Sequence, residues 1–214
     1  MTAHSRQSFH RTSATRAIPS TLWAAGSDPI DPADRWPTPL VSRAVTEFSD
    51  PGHRVALVPC PAPAARGALT VIPSDVADAL ATVENLGRPA RIELGVPGAG
   101  QPAELVLASL LDPDLDLVAG ADRVAELATG RLAEGGLLVV LSRCHRSPEG
   151  ALSDPAASVV AAAQAADLLY LQHIIAAPIT GTTIPYAHTP GHGAHALVHT
   201  DVFVFLNPRP TPAT

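Results

Sequence analysis

Apolar residues at 40, 41, 44, 45 and 48 recur at helical spacing, so Leu40–Phe48 reads as an amphipathic helix. Arg54–Val58 is a short apolar run of buried-strand type, interrupted by the prolines at 59, 61 and 63. Ser74 and Asp75 can cap a helix running to Leu86, which Gly87 closes with Pro89 behind it. Ala90–Val96 predicts the next strand, ending in Pro97-Gly98-Ala99-Gly100, and Glu104–Ser109 another, ending at the turn Asp112-Pro113-Asp114. Val118–Leu132 is helical, with Val118, Ala121, Val124, Ala125, Ala128 and Leu132 on one face. Glu134-Gly135-Gly136 is expected to end that helix and launch Leu137–Ser142, the most strand-like run in the chain. An alanine-rich helix follows over Ala156–Ala166, then strands over Leu168–Ala177 and Val198–Leu206 around a long Gly/Pro/His loop, 178–196. Strand and helix in alternation predict an α/β domain whose sheet is mostly parallel and closes on an antiparallel hairpin.

The remaining segments are less periodic. Residues 1–20 are polar and read as a disordered leader, with no apolar stretch of the secretory-signal kind. Residues 21–39 turn repeatedly through Asp28-Pro29, Asp31-Pro32 and Trp36-Pro37, and offer Leu22, Trp23 and Trp36 as anchors. They predict a proline-rich wrap that docks its tryptophans on the body. The folded domain then spans 40–208, with 209–214 as a tail. No apolar run approaches the roughly 18 residues a membrane helix needs, so a cytoplasmic protein is expected.

Composition narrows the partners. All 14 basic residues are arginine, against 20 acidic ones, which gives a formal charge of −6 and a pI near 5.8. An isolated chain of that balance is a poor candidate for tracking nucleic-acid phosphates. Two cysteines, Cys60 and Cys144, exclude a disulfide scaffold.

Several phrases resemble the S-adenosylmethionine-dependent methyltransferases, and among them the DNA amino-methyltransferases that modify adenine N6 or cytosine N4. Val45-Thr-Glu-Phe-Ser-Asp-Pro-Gly-His-Arg-Val55 is similar to the helix and turn that open that domain. Leu86-Gly-Arg-Pro-Ala-Arg-Ile-Glu93 resembles the family's approach to the acidic end of its second strand. Ala103-Glu-Leu-Val-Leu-Ala-Ser-Leu-Leu111 resembles the strand that carries the catalytic loop, and Leu132-Ala-Glu-Gly-Gly-Leu-Leu-Val-Val140 the entry to strand 5. Tyr170–Ile175 and His199–Phe205 look like the final hairpin of actinobacterial-type DNA methylases. Together these cover 40–208 piecewise. The resemblance implies a Rossmann-like seven-stranded methyltransferase sheet, mostly parallel with a C-terminal antiparallel hairpin, with S-adenosylmethionine as cofactor and DNA or a partner methylase as associates.

The residues carried over are altered. A cofactor turn after the first strand of this fold needs glycines, so that backbone can approach the ligand and helix N–H groups stay free. Here Val58-Pro-Cys-Pro-Ala-Pro-Ala-Ala-Arg-Gly67 puts prolines there, leaving Arg66 and Gly67 to rebuild part of the turn. Glu93 is the cofactor candidate that survives, a strand-end carboxylate able to accept ribose hydroxyls; the alternative is an exposed acid beside Arg91. Methyl transfer to an exocyclic amine needs a polar acceptor, a proline-held carbonyl and a stacking ring. Ser109 can fill the polar position and Asp112-Pro113 a shifted one, but Leu110 and Leu111 stand where the prolines belong, and no aromatic follows.

Other features invite chemistry. His188, His192, His195 and His199 could bind zinc or nickel, but their order matches no ligand signature and a solvated loop is the preferred reading. Cys144-His145 cannot easily form a nucleophile–base pair on extended backbone, and both cysteines are read as structural. Arg143, His145 and Arg146 form a local basic patch after the fifth strand, where a phosphate or nucleic acid could bind, but a solvated loop is the preferred reading. The expectation is a methyltransferase-like protein with degraded cofactor and catalytic motifs in a non-catalytic binding or regulatory role. An active DNA amino-methyltransferase with divergent motifs and a small-molecule enzyme with a His-rich lid are the alternatives.

Overall fold

A computed structural model describes residues 21–60, 62, 65–66, 69–94, 100–146, 151–185 and 198–208. The expected leader and tail, Gly67, and the histidines at 188, 192 and 195 lie outside the described residues.

Seven strands form one sheet: β1 (Leu22–Ala24), β2 (Val55–Pro59), β3 (Ala90–Ile92), β4 (Ala103–Ser109), β5 (Leu132–Ser142), β6 (Leu169–Ala177) and β7 (Thr200–Leu206). Their spatial order is β1-β6-β7-β5-β4-β2-β3. Only β7 runs against its neighbours, pairing antiparallel with both β6 and β5, while every other pairing is parallel. This is a Rossmann-like, mostly parallel α/β sheet with a C-terminal antiparallel hairpin. Helices α1 (Thr38–Phe48) and α2 (Ser74–Asn85) cover one face, α3 (Leu117–Thr129) and α4 (Ala156–Ala165) the other. Because both faces are covered, β2 and β4 read as continuous apolar runs: Leu105 and Leu107 pack with α1 and α2, Val106 and Ala108 with α3 and α4.

Local chemistry sets the boundaries. Asp116 caps α3, its Oδ1 accepting from the Val118 and Ala119 N–H groups at 3.0 and 3.2 Å. Ser74 is not a cap but the first helical residue of α2, because Pro73 holds the N-cap position. Gly87, at φ +77°, turns the chain out of α2. Arg88, buried beside it, donates to the Ser49 carbonyl at 2.8 Å and so ties the end of α2 to the end of α1.

The glycine pair does something other than end a helix. Strand β5 already begins at Leu132, and Glu134-Gly135-Gly136 forms a bulge inside it, where the register against β4 shifts. Gly135 takes φ +71°, and a Cβ on Gly136 would lie 2.9 Å from the Ala133 carbonyl oxygen. Asn207 locks the bulge: it exchanges backbone bonds with Gly135 and Gly136 at 2.9 Å each, and its side-chain amide donates to the Ala133 carbonyl at 3.1 Å.

The N-terminal wrap contributes a strand that periodicity did not indicate. Leu22–Ala24 pairs parallel with Ile175–Ala177 at the sheet edge. Trp23 is fully buried, its ring 5.6 Å from Phe48 with the Arg43 guanidinium 4.9 Å above it, and Trp36 is 5% exposed in the same cluster.

Candidate functional site

In an open parallel sheet, ligands sit outside the carboxyl ends of the strands, where the strand order reverses. Here β3 lies on one side of β2 and β4 on the other, so the crevice falls between the ends of β2 and β4. Residues 25–36, a strap joining β1 to α1, run along that edge from β6 to β4. At β6, Ala25 N–H donates to the Ala177 carbonyl and Ile179 N–H to the Gly26 carbonyl, at 2.9 and 2.8 Å. At β5, Arg143 donates to the carbonyls of Asp31 and Asp34, at 3.0 and 3.1 Å. At β4, Ser109 Oγ donates to the Arg35 carbonyl. The Arg35 guanidinium then reaches Asp112 at 2.9 Å and Asp75, in the first turn of α2, at 3.4 Å.

The predicted catalytic candidates therefore meet at the crevice, but on the strap. Ser109 is 1% exposed and also lies 3.4 Å from the Leu111 N–H; Asp112 pairs with Arg35 and accepts from the Asp114 N–H at 3.0 Å. Leu110 and Leu111 are buried in the two opposite core layers. Glu93 stands beside Arg91 as expected, at 3.7 Å, yet it is buried rather than exposed and accepts from Arg131 Nε at 2.7 Å. Arg66 lies in a two-residue strand opposite Leu69, its side chain outside the described residues. Pro59 ends β2 beside Ser109, and burial pushes the Cys60 thiol up to about 11, partly countered by the Arg123 guanidinium against it.

These residues do not fit S-adenosylmethionine. The carboxylate that would take the ribose is held by two arginines, the two polar groups after β4 are engaged with Arg35, and Pro59 offers no N–H at the end of β2. No step of methyl transfer follows from them.

A second polar group lies at the same edge, on the α4 side. His173 and His199 both approach Asp201 Oδ1 through Nε2, at 2.8 and 3.5 Å, and His173 stacks on Phe203. The hydrogen bond to Asp201 raises the His199 pKa despite partial burial, and burial of Asp201 is outweighed by the two histidines, which hold its carboxyl below the usual range. Among the described residues no group of three or more His, Cys, Asp or Glu side chains is placed to hold a metal ion. Burial and the carboxylates of Asp154 and Asp201 push the Cys144 thiol up, the opposite of what a nucleophilic thiolate needs.

The sign of these shifts fixes a pH profile. Asp201, lowered, adds stability above its ordinary 3.8 that is lost as pH falls through its folded value. His199, raised, adds stability fully present below 6.5 that is lost as pH rises through its folded value. Stability is thus expected to be highest between these limits and to decline on the alkaline side as His199 loses its proton. Asp201→Asn should lower the His199 midpoint in an NMR titration; a midpoint that stays put would show that Asp201 does not hold the proton.

Sequence reasoning did not find Arg35, Arg131 or His173. Their partners lie 77, 38 and 28 positions away, beyond any local motif.

No family model matches the chain, and no curated protein matches it in sequence. Solved structures similar to it include the N-methyltransferase NodS from Bradyrhizobium japonicum WM9, at 14% identity over 84% of this chain and 98% of that one, with a TM-score of 0.44. A SAM-dependent methyltransferase from Methanosarcina mazei matches at 9% identity over 76% and 95%, with a TM-score of 0.41. A candidate DNA modification methylase from Thermus thermophilus matches at 12% over 80% and 53%, with a TM-score of 0.34. Likeness at this level assigns no activity, substrate or cofactor. No helix among the described residues is long and apolar enough to cross a membrane.

Proposed function

We propose that this chain is a DNA methyltransferase-like protein that does not transfer methyl groups and acts as a binding or regulatory subunit. One observation carries the reading: the strap of residues 25–36 lies across the carboxyl edge and engages Ser109, Asp112 and Arg143 from its own backbone and Arg35. A catalytic site must present such groups to substrate, and here the chain presents them to itself. The associate we favour is a protein, an active DNA methylase, because a net charge of −6 gives DNA phosphates little to bind. The setting would be the cytoplasm.

Calorimetric titration of the full chain with S-adenosylmethionine is the test, with no saturable heat expected into the millimolar range. Saturable binding would overturn the non-catalytic reading in favour of an active enzyme with divergent motifs. Co-purification of the full chain with a methylase tests the subunit role, and a chain isolated alone from cells that contain the methylase would count against it.

A further inference from the structure

The lateral side of the sheet next to β1 is covered along part of its length. β1 pairs with Ile175–Ala177, and the ladder reaches one residue further, where the Thr21 carbonyl accepts from the Ile175 N–H at 2.8 Å. Among the described residues, no strand pairs with Leu169–Leu171, the start of β6, on the side away from β7. These three consecutive apolar residues are 50, 40 and 52% exposed, and Leu22, at the near end of β1, is also half-exposed. Tyr170 packs on Phe205, with ring centroids 5.5 Å apart, and Leu171 falls at a bulge where the register against β7 shifts.

An open strand edge is normally guarded by charge, proline or a bulge. Here the bulge is the guard present, since the ten residues Leu168–Ala177 contain no proline and no Asp, Glu, Lys or Arg. His173, within that run, has its Nε2 against Asp201. The chain's own upstream residues are poorly suited to extend the ladder. Thr21 and Ala25 both bond to β6, so every second residue serves it and position 19 comes next; Pro19 has no N–H to give. A second copy is better suited. Chains of formal charge −6 repel one another, and an uncharged strip lets two of them meet without opposing like charges. The strip is also its own complement under a twofold axis, and that symmetry closes the contact instead of propagating it.

We propose that this strip is a self-association surface: β6 of one copy pairs antiparallel with β6 of a second around Leu171, with Leu22 and Leu169 covering the join. Thr21 bounds the contact on one side, so it is short. Interfaces below about 1,200 Å² in total are weak, and association in the micromolar range is expected. This goes beyond the subunit reading above and does not depend on it.

Sedimentation equilibrium of the full chain, from low to high micromolar concentration, tests it, with hydrogen exchange of residues 169–173 followed over the same range. Wild type is expected to pass from monomer to dimer while these amides become slower to exchange. Leu171→Lys should weaken the dimer at least about tenfold and abolish the concentration-dependent protection, although lysine makes the chain less negative. Val118→Gln removes an apolar residue of similar exposure on α3 and should leave the dimer constant unchanged. Circular dichroism confirms that each variant is folded. A wild-type chain that stays monomeric, or a Leu171→Lys dimer as tight as wild type, would overturn the proposal. In a monomer, protection of 169–173 at every concentration would assign the strip to the chain's own leader, and exchange without protection would assign it to a different protein.

Discussion

Replacing Trp36 with alanine is expected to cost about 3–5 kcal/mol of unfolding free energy, the range for truncating a buried indole. Trp36 is 5% exposed and closes the strap onto the core layer that also holds Trp23, Leu40, Val41 and Leu111. Its own N–H is already satisfied by Asp34, so the loss is one of packing rather than of a backbone bond. Urea unfolding measures the total, and limited proteolysis reports whether the strap comes away before the body. If Trp36→Ala unfolds near the wild-type midpoint, the strap is not an integral part of the core. A large loss with cleavage confined to residues 25–36 would show that the strap is the weakest cooperative unit of the fold.

Glu93→Gln is expected to destabilise by about 3 kcal/mol, because it removes the negative member of a buried ion pair and leaves the charges of Arg131 and Arg91 facing a neutral amide. Glu93 is 3% exposed and Arg131 largely buried, so solvent replaces little of what is lost. The double variant Glu93→Gln with Arg131→Met should recover much of the deficit, since an apolar replacement of the whole pair is tolerated better than half of it. Chemical denaturation of the single and double variants gives the coupling directly. A deficit below about 0.5 kcal/mol would place the carboxylate in solvent reach and reopen it as a ligand acceptor. Any ligand-binding experiment on a Glu93 variant must therefore control for folding, because a loss of binding there follows from either role.

The sheet was legible because six of its seven strands announce themselves locally. Leu105 to Ala108 is apolar without a break because both faces are covered, and Val202 to Phe205 likewise. What periodicity misread was governed by distant partners. Gly135 and Gly136 look like a helix stop, but Asn207, some seventy positions on, turns them into a bulge. Leu22–Ala24 is too short to show a strand pattern and becomes one only by pairing with β6. The candidate site was half legible. The sequence places Ser109 and Asp112 after β4 and Glu93 after β3, where the fold brings ligand-binding groups. It gives no sign that Arg35 and Arg131 would occupy them, since a charge on a turn-rich segment or at a helix end has no local signature of its partner. The tryptophans were the exception, because an indole in a proline-rich segment has few places to go except inward.

The strap is tied at both ends. Trp23 precedes it and Trp36 ends it, and both belong to one packed layer. Such a segment cannot swing aside like a flap with a single hinge; it can only bow outward and leave a slot between two fixed posts. The slack available is a dozen residues, and each residue released gains freedom while the posts hold their positions. Any opening along this edge is therefore narrow by construction, bounded by Trp23 on one side and Trp36 on the other.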